Sequence, residues 1–270
     1  MRARGVVLLA ALALDCKGRA EPAPQGAPSA AKTTGALTVV SEQESSGLRA
    51  RSGTFLIETA TPGVVTSPWG FTDLELDEAI VTLEVVLAPG GAPLEKLLPE
   101  RGLAVVNGGY FEADFKPSSW VVSGGAELAR KSDPSKGGVL AVTSGRVYLG
   151  PMSGLDFEPS LAVQSFPLIV EPHGVPGIHR DDGRRAARTV ACLVGSRLHF
   201  IVLAAPRGEG PTLFEASKLL RVAPPQGFGC RAALNLDGGP SSGVWFSPTL
   251  GARQRPPLAH VGYAIAVVSR

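Results

Sequence analysis

The sequence has only three cysteines and four histidines in 270 residues, and none of them falls at the spacing of a zinc site. It has no excess of one charge. Twenty-six Lys and Arg against 24 Asp and Glu leave a net charge of +2, and no run of basic residues concentrates it, so nucleic acid has no electrostatic footprint to meet. No P-loop and no G-x-G-x-x-G occurs, which removes nucleotide-driven phosphoryl transfer and dinucleotide redox chemistry. The apolar run at 5–14 is too short to span a bilayer. The chain is not poor in apolar residues, however. At 44% hydrophobic it is a globular protein rather than a disordered one, and its length suits one domain or at most two small ones. Thirty-three Gly and 23 Pro cut it into short segments, which excludes a helical bundle and favours brief strands joined by turns.

The N-terminus has the layout of a secretory signal, with Arg2 and Arg4 ahead of the apolar run. Cys16 follows it, as the lipid-carrying cysteine does in a bacterial lipoprotein, although Leu14 and Asp15 depart from the small residues usual there. The alternative is a plain secreted chain cut near Ala20. Residues 17–36 are rich in Ala, Pro, Gly and Ser and offer almost nothing to bury, so they read as a flexible tether. The expected organisation is a leader at 1–16, a tether at 17–36 and one folded domain at 37–270. Such a chain is exported, periplasmic or extracellular, and anchored to the membrane if Cys16 carries a lipid. Cys192 and Cys230 form an even pair in an oxidising setting. They are either a disulfide or two buried thiols.

β-rich runs at 54–58, 80–87, 103–106, 139–143, 188–194, 198–204, 232–236 and 261–268 are each bounded by Gly, Pro, Asn or Asp. The runs 188–194 and 198–204 read as a hairpin around Gly195-Ser196-Arg197. One helix is expected at 212–222, where Thr212 and Glu215 have capping-box spacing and Leu213, Ala216, Leu219 and Leu220 share a face. A helical turn is expected at 93–98. The fold class is α+β, a single domain with a mixed, largely antiparallel sheet core and a few helices.

Gly239-Pro240-Ser241-Ser242-Gly243 matches the serine-hydrolase pattern G-x-S-x-G, but that elbow leads into a helix and precedes an acid and then a His. Here a strand follows, and no Asp or Glu occurs after Asp237. His173, His179, Asp181 and Asp182 lie in a Pro- and Gly-rich loop without metal-site spacing and read as solvated.

Two segments stand apart. In Val105-Val106-Asn107-Gly108-Gly109-Tyr110-Phe111 and in Ala233-Leu234-Asn235-Leu236-Asp237-Gly238-Gly239, a small apolar strand ends in Asn or Asp followed by two glycines. The glycines permit close backbone approach and positive φ around a polar side chain at a sheet end. Either these are tight turns whose Asn107 and Asp237 bond their own backbone, or they are two halves of one site.

These segments, together with Gln164-Ser165-Phe166-Pro167-Leu168-Ile169-Val170, Arg188-Thr189, the helix at 212–222 and the continuation Pro240-Ser241-Ser242, resemble the phosphodiester glycosidase family in order and separation over residues 80–268. The resemblance implies an exported glycosidase that hydrolyses the sugar–phosphate linkage of a glycosyl-1-phosphodiester, such as a GlcNAc-1-phosphodiester, in envelope or extracellular glycans. Thr189-Val190-Ala191-Cys192 stands where the family usually has Thr-Ala, a small aliphatic residue and Gly, and no Asp-Gly turn follows Leu203. A non-catalytic glycan-binding lipoprotein of the same fold is therefore the alternative. Asp237 is the candidate catalytic carboxylate, with Glu112 or Asp114 as a second if the usual pair is used. Arg188 would bind phosphate oxygens. Ser241 and Ser242, with the backbone of Gly238 and Gly239, would add donors, and Asn107, Gly108, Gly109 and Asn235 would complete the substrate site, Asn107 toward sugar hydroxyls. Tyr110 and Phe111 offer an apolar face to a pyranose, or belong to the core. His260 is a proton carrier or a structural histidine. Nothing in the sequence requires a cofactor, while the Asn and Asp oxygens leave open a hard cation such as Ca²⁺. The expected partner is a carbohydrate phosphodiester, with neither nucleic acid nor a protein partner.

Overall fold

Short strands rich in Val, Leu and Ala build three antiparallel sheets in a computed structural model, which describes residues 37–57, 68–130, 133, 137–205 and 208–270. The leader and tether at 1–36, and Glu58 at the end of one expected strand, lie outside the described residues. Among those residues there are seventeen strands and one α-helix. β1 (Thr38–Ser45), β2 (Leu48–Phe55) and β3 (Trp69–Leu76) begin the largest sheet, and β4 (Val81–Ala92) and β5 (Gly102–Asn107) belong to a four-stranded one. β6 (Val121–Ser123), β7 (Ala126–Ala129), β8 (Gly138–Thr143), β9 (Arg146–Gly150) and β10 (Leu161–Ser165) make a five-stranded sheet. β11 (Leu168–Glu171), β12 (Val175–Pro176), β13 (Arg188–Val194), β14 (Arg197–Ala204) and β15 (Ala232–Asn235) return to the largest sheet, whose order is β1-β2-β3-β14-β13-β15-β11-β12. β16 (Val244–Phe246) and β17 (Val261–Ser269) complete the order β16-β5-β17-β4.

Strand β13 shows how the sequence sets this arrangement. Ala191 and Leu193 face the core shared by the three sheets, with Leu74, Val106, Leu140 and Ile265, whereas Val190 and Cys192 face the helix side. Both faces are covered, so the strand reads as a continuous apolar run rather than an alternating one. The helix α1 (Leu213–Arg221) lays Ala216, Leu219 and Leu220 on Ile169, Val190 and Ile201. Thr212 caps it, accepting from the Glu215 N–H at 3.2 Å while Glu215 accepts from the Thr212 N–H at 2.9 Å. This is the reciprocal arrangement that the sequence spacing predicts.

Three expectations change. The sheets are antiparallel throughout the described residues rather than mixed, and a single α-helix beside so much strand makes the fold mostly β, which the α+β label fits only loosely. The β13–β14 loop is two residues long, because Arg197 already pairs with Val194 and Gly195 takes φ +58°. The turn at 93–98 is a 3₁₀ helix, Leu94–Leu97, pinned by its two buried leucines. Of the two readings for the cysteines, the disulfide is the one formed: Cys192 and Cys230 are bonded, with Cα atoms 5.7 Å apart, beneath α1.

Candidate active site

The two glycine turns leave different sheets and meet. Asn107 ends β5 and Asn235 ends β15, and the Asp237 N–H donates to Gly108 O at 3.1 Å. Asn107 ties the junction together. Its Nδ2 donates to Asp237 O at 2.8 Å and Gly108 O at 3.1 Å, and its Oδ1 accepts from the Thr189 hydroxyl at 2.7 Å and the Gly243 N–H at 3.1 Å. Two donated and two accepted bonds exhaust an amide side chain, and Asn107 is fully buried. It therefore has nothing left for sugar hydroxyls, contrary to the role expected of it, and joins β5, β13 and the Asp237 turn instead.

The reason for glycine also differs between the turns. A β-carbon on Gly108 would stand 2.2 Å from the Tyr263 ring, and one on Gly109 would stand 2.7 Å from the Tyr263 hydroxyl, which accepts the Gly109 N–H at 2.8 Å. These two glycines make room for a buried tyrosine rather than for a ligand. Gly239 does need its backbone freedom, at φ +60°, and faces open space.

Asp237 is half-buried. Its Oδ1 accepts the Gly238 N–H at 2.8 Å and its carboxylate also takes the Ser241 hydroxyl. No Lys or Arg lies within ion-pair distance among the described residues, and burial pushes its carboxyl above the ordinary range against the pull of those two bonds. Arg188, nearly buried at the start of β13, donates Nε to Pro211 O at 3.2 Å and Nη2 to Arg184 O at 2.8 Å. Its Nη1 lies beside the Asp237 turn, 3.7 Å from where a Gly238 β-carbon would be. Burial pulls the guanidinium down, opposed by Tyr110 and Asp182. Tyr110 stands between acid and base: desolvation and Asp237 push its phenol up, and Arg188 draws it down. Its oxygen accepts Asn235 Nδ2 at 3.0 Å, and its ring stacks at 4.4 Å on Phe166, which is 46% exposed. Phe166, Gln164 and Glu112 line a cleft of about 1060 Å³.

The structure thus brings Asn107, Gly108, Gly109, Arg188, Asn235, Gly238, Gly239, Ser241 and Asp237 together, and it gives roles to Thr189 and Phe166, which stood in the motifs without one, and to Tyr263, which stood in none. Thr189 and Tyr263 hold the junction, and Phe166 extends Tyr110 into an aromatic platform. Tyr263 gave a faint signal, as a bulky residue among Gly262, Ala264 and Ala266. Asn235 donates to Phe166 O at 3.1 Å and Leu236 O at 2.6 Å, and its buried Oδ1 has no partner. Asp114 does not join the site. It is exposed and paired with Lys116 at 2.6 Å in its own turn, which lowers its carboxyl, the reverse of what a general acid needs. Phe111 stacks on Phe115 at 5.4 Å, away from Tyr110. His260 is exposed, as are His179, Asp181 and Asp182, and no group of three or more His, Cys, Asp or Glu side chains able to hold a metal occurs among the described residues. Ser242 is buried and lines a second cleft.

The domain is thus mostly β, and its two glycine turns meet around a half-buried carboxylate, an arginine and an aromatic pair. The family model for phosphodiester glycosidase matches residues 101–268, and the chain belongs to that family. Its fold is similar to the catalytic domain of zebrafish N-acetylglucosamine-1-phosphodiester α-N-acetylglucosaminidase (16% identity, 87% of this chain and 89% of that one, TM-score 0.66). It is also similar to a hypothetical protein from Synechocystis (17%, 83% and 62%, 0.55) and to a protein from Burkholderia pseudomallei described as exported (13%, 76% and 75%, 0.56). At these identities the likeness is one of fold. No curated protein matches the chain. No helix among the described residues is long and apolar enough to cross a membrane.

Proposed function

We propose that this protein is an exported glycosidase that hydrolyses the bond between an anomeric carbon and a phosphodiester oxygen, with a GlcNAc-1-phosphodiester-like substrate in envelope or extracellular glycans. The observation that carries this reading is a half-buried acid, Asp237, and a buried arginine, Arg188, brought to one junction from a turn and a neighbouring strand, neither of them in an ion pair among the described residues. Family membership and the Cys192–Cys230 disulfide, a bond of oxidising compartments, support it.

Arg188 Nη1 receives the non-bridging phosphate oxygens, neutralising charge as the C1–O bond lengthens. The phosphate is already a good leaving group, so the enzyme's main task is to stabilise the oxocarbenium-like sugar. Tyr110 and Phe166 give the pyranose an apolar face. Burial makes Asp237 a stronger base than an ordinary aspartate, suited to take a proton from the attacking water. That water's oxygen bonds to C1, the bridging oxygen leaves with the phosphate, and a sugar and a phosphomonoester result. Glu112, on the wall of the large cleft, is the candidate second carboxylate. Asn107 serves as a positioning residue, and a lipid on Cys16 would hold the domain at a membrane.

The test is free-sugar release from a panel of α-GlcNAc-1-phosphodiesters in ¹⁸O-water. Label in the sugar, with release abolished in Asp237→Asn, is the expected result. Label in the phosphate would overturn glycosidic cleavage, and saturable binding without turnover would identify a glycan-binding protein instead.

A further inference from the structure

Most arginines whose guanidinium is close to other groups have an acid beside them: Arg51 has Asp73 at 2.5 Å, Arg185 has Glu215 at 2.8 Å and Arg49 has Glu75 at 3.4 Å. Arg188 and Arg255 are both substantially buried and have no carboxylate within ion-pair distance among the described residues. Arg188 belongs to the site above. Arg255 lies elsewhere, in a cleft of about 520 Å³ between β2–β3 and the segment that follows β16.

That cleft is lined by Ser52, Gly70, Thr72, Ser242, Arg253 and Arg255, and no acidic side chain among the described residues lines it. Arg255 Nη1 donates to Ala204 O at 2.8 Å, which fixes the guanidinium against the β3–β14 pair. A β-carbon on Gly70 would stand 2.5 Å from Nη2, so glycine there leaves space for it. Burial and the like charge of Arg253 both pull the Arg255 guanidinium down. Two arginines on one cleft with no acid among its lining, one of them partly desolvated, are unfavourable in the absence of an anion. Ser242 is 6% exposed, and its Oγ has no hydrogen-bond partner among the described residues, an expensive omission for a buried hydroxyl unless a ligand supplies one.

We propose that this cleft is a second oxyanion site, which takes a phosphate group on Arg253, Arg255 and Ser242. Two cationic charges with no acid match an ion that can carry two negative charges, which phosphate does and a single carboxylate does not. The cleft is larger than a bare phosphate, so there is room for an attached group. It shares Gly239 and Ser242 with the turn that carries Asp237, but neither Asp237 nor Arg188 lines it, so it does not draw on the two charges of the catalytic reading.

The test is equilibrium dialysis of the full chain against radiolabelled inorganic phosphate in chloride buffer, in an Arg188→Ala background that removes the first phosphate position. One phosphate per chain is expected to remain, weakened about tenfold or more by Arg255→Gln and severalfold by Ser242→Ala. Arg253→Glu, at an exposed position, keeps the test decisive should Arg255→Gln fail to fold, and it should also weaken binding tenfold or more. No saturable binding in Arg188→Ala, or binding indifferent to Arg253→Glu and Ser242→Ala, would overturn the proposal; the glycosidase reading is judged separately, by sugar release from the parent chain. Dimethyl phosphate as a second probe separates the sources. A preference for inorganic phosphate over dimethyl phosphate, which carries a single charge, is expected and points to a phosphomonoester, whereas equal binding would overturn the match of two cations to a dianion.

Discussion

Replacing Asn107 with alanine separates a side chain that holds the site together from one that touches sugar. The amide makes four hydrogen bonds. Of the groups it serves, Gly108 O keeps a second donor, the Asp237 N–H, whereas the Thr189 hydroxyl, the Gly243 N–H and Asp237 O lose the partner they have. A buried polar group left unpaired costs about 1–3 kcal/mol, and partial rescue by water entering the vacated space brings three of them to roughly 3–6 kcal/mol. For a domain of this size that lowers Tm by on the order of 10–15 °C. Calorimetric unfolding of Asn107→Ala should show this drop, and sugar release should show a fall in kcat larger than any rise in KM, because Asp237 loses its backbone anchor. A double-mutant cycle with Thr189→Val should give a coupling of about 0.5–3 kcal/mol. A Tm within about 2 °C of the parent, with KM raised and kcat intact, would refute the reasoning and return Asn107 to the substrate.

The remaining predictions concern charge and covalent structure. Arg188→Lys keeps the charge but loses the fork, and kcat/KM should fall about 10- to 150-fold, the equivalent of a charge-assisted hydrogen bond of about 1.5–3 kcal/mol; an unchanged value would show that Arg188 does not meet phosphate. Because burial raises the Asp237 carboxyl, the folded chain holds that proton more tightly than the unfolded one. Stability is therefore undiminished below the ordinary aspartate range and declines as pH rises through the raised value. Asp237→Asn should then melt above the parent at neutral pH while losing activity, with the gap closing in acid; a variant less stable at neutral pH would contradict this. Removing the disulfide as Cys192→Ala/Cys230→Ala opens a loop with a sequence separation of 38 and should cost ~4 kcal/mol in chemical denaturation. A loss below about 1 kcal/mol would mean that the unfolded chain is already constrained there.

Much of the fold was legible because its determinants are local. The β13 run matches its strand end to end, since both faces are covered and the residues from Val190 to Val194 are all apolar, and the Thr212–Glu215 box marked the helix start. The pairing of both glycine turns was visible only as a likeness of form. What remained hidden depended on residues distant in sequence. Nothing near Gly108 announces Tyr263, and nothing near Asn107 announces Thr189 or Gly243, yet these partners turn an apparent sugar ligand into a tie between sheets. Asp114 failed for a local reason that spacing did not convey: Lys116, two residues on, already holds it.

The division of labour that results has a chemical logic. In the proposed mechanism Asp237 gains basicity from burial and would lose it to an adjacent arginine, so Arg188 would have to act on the same substrate without pairing with the acid. The fold achieves this by giving each charge other partners. Backbone carbonyls take two nitrogens of Arg188, a backbone N–H and Ser241 take Asp237, and Tyr110 stands between them, bound by Asn235. A lysine at 188, with its flexible stem, would be free to swing toward Asp237. The cost of that pairing would show as a lowered acid limb in the pH dependence of kcat/KM, because a nearby cation stabilises the carboxylate. Arg188→Lys should therefore shift that limb downward as well as weaken phosphate binding, whereas Arg188→Gln should weaken binding and leave the limb where it is or higher. The same limb in both variants would mean that Asp237 and position 188 do not sense each other.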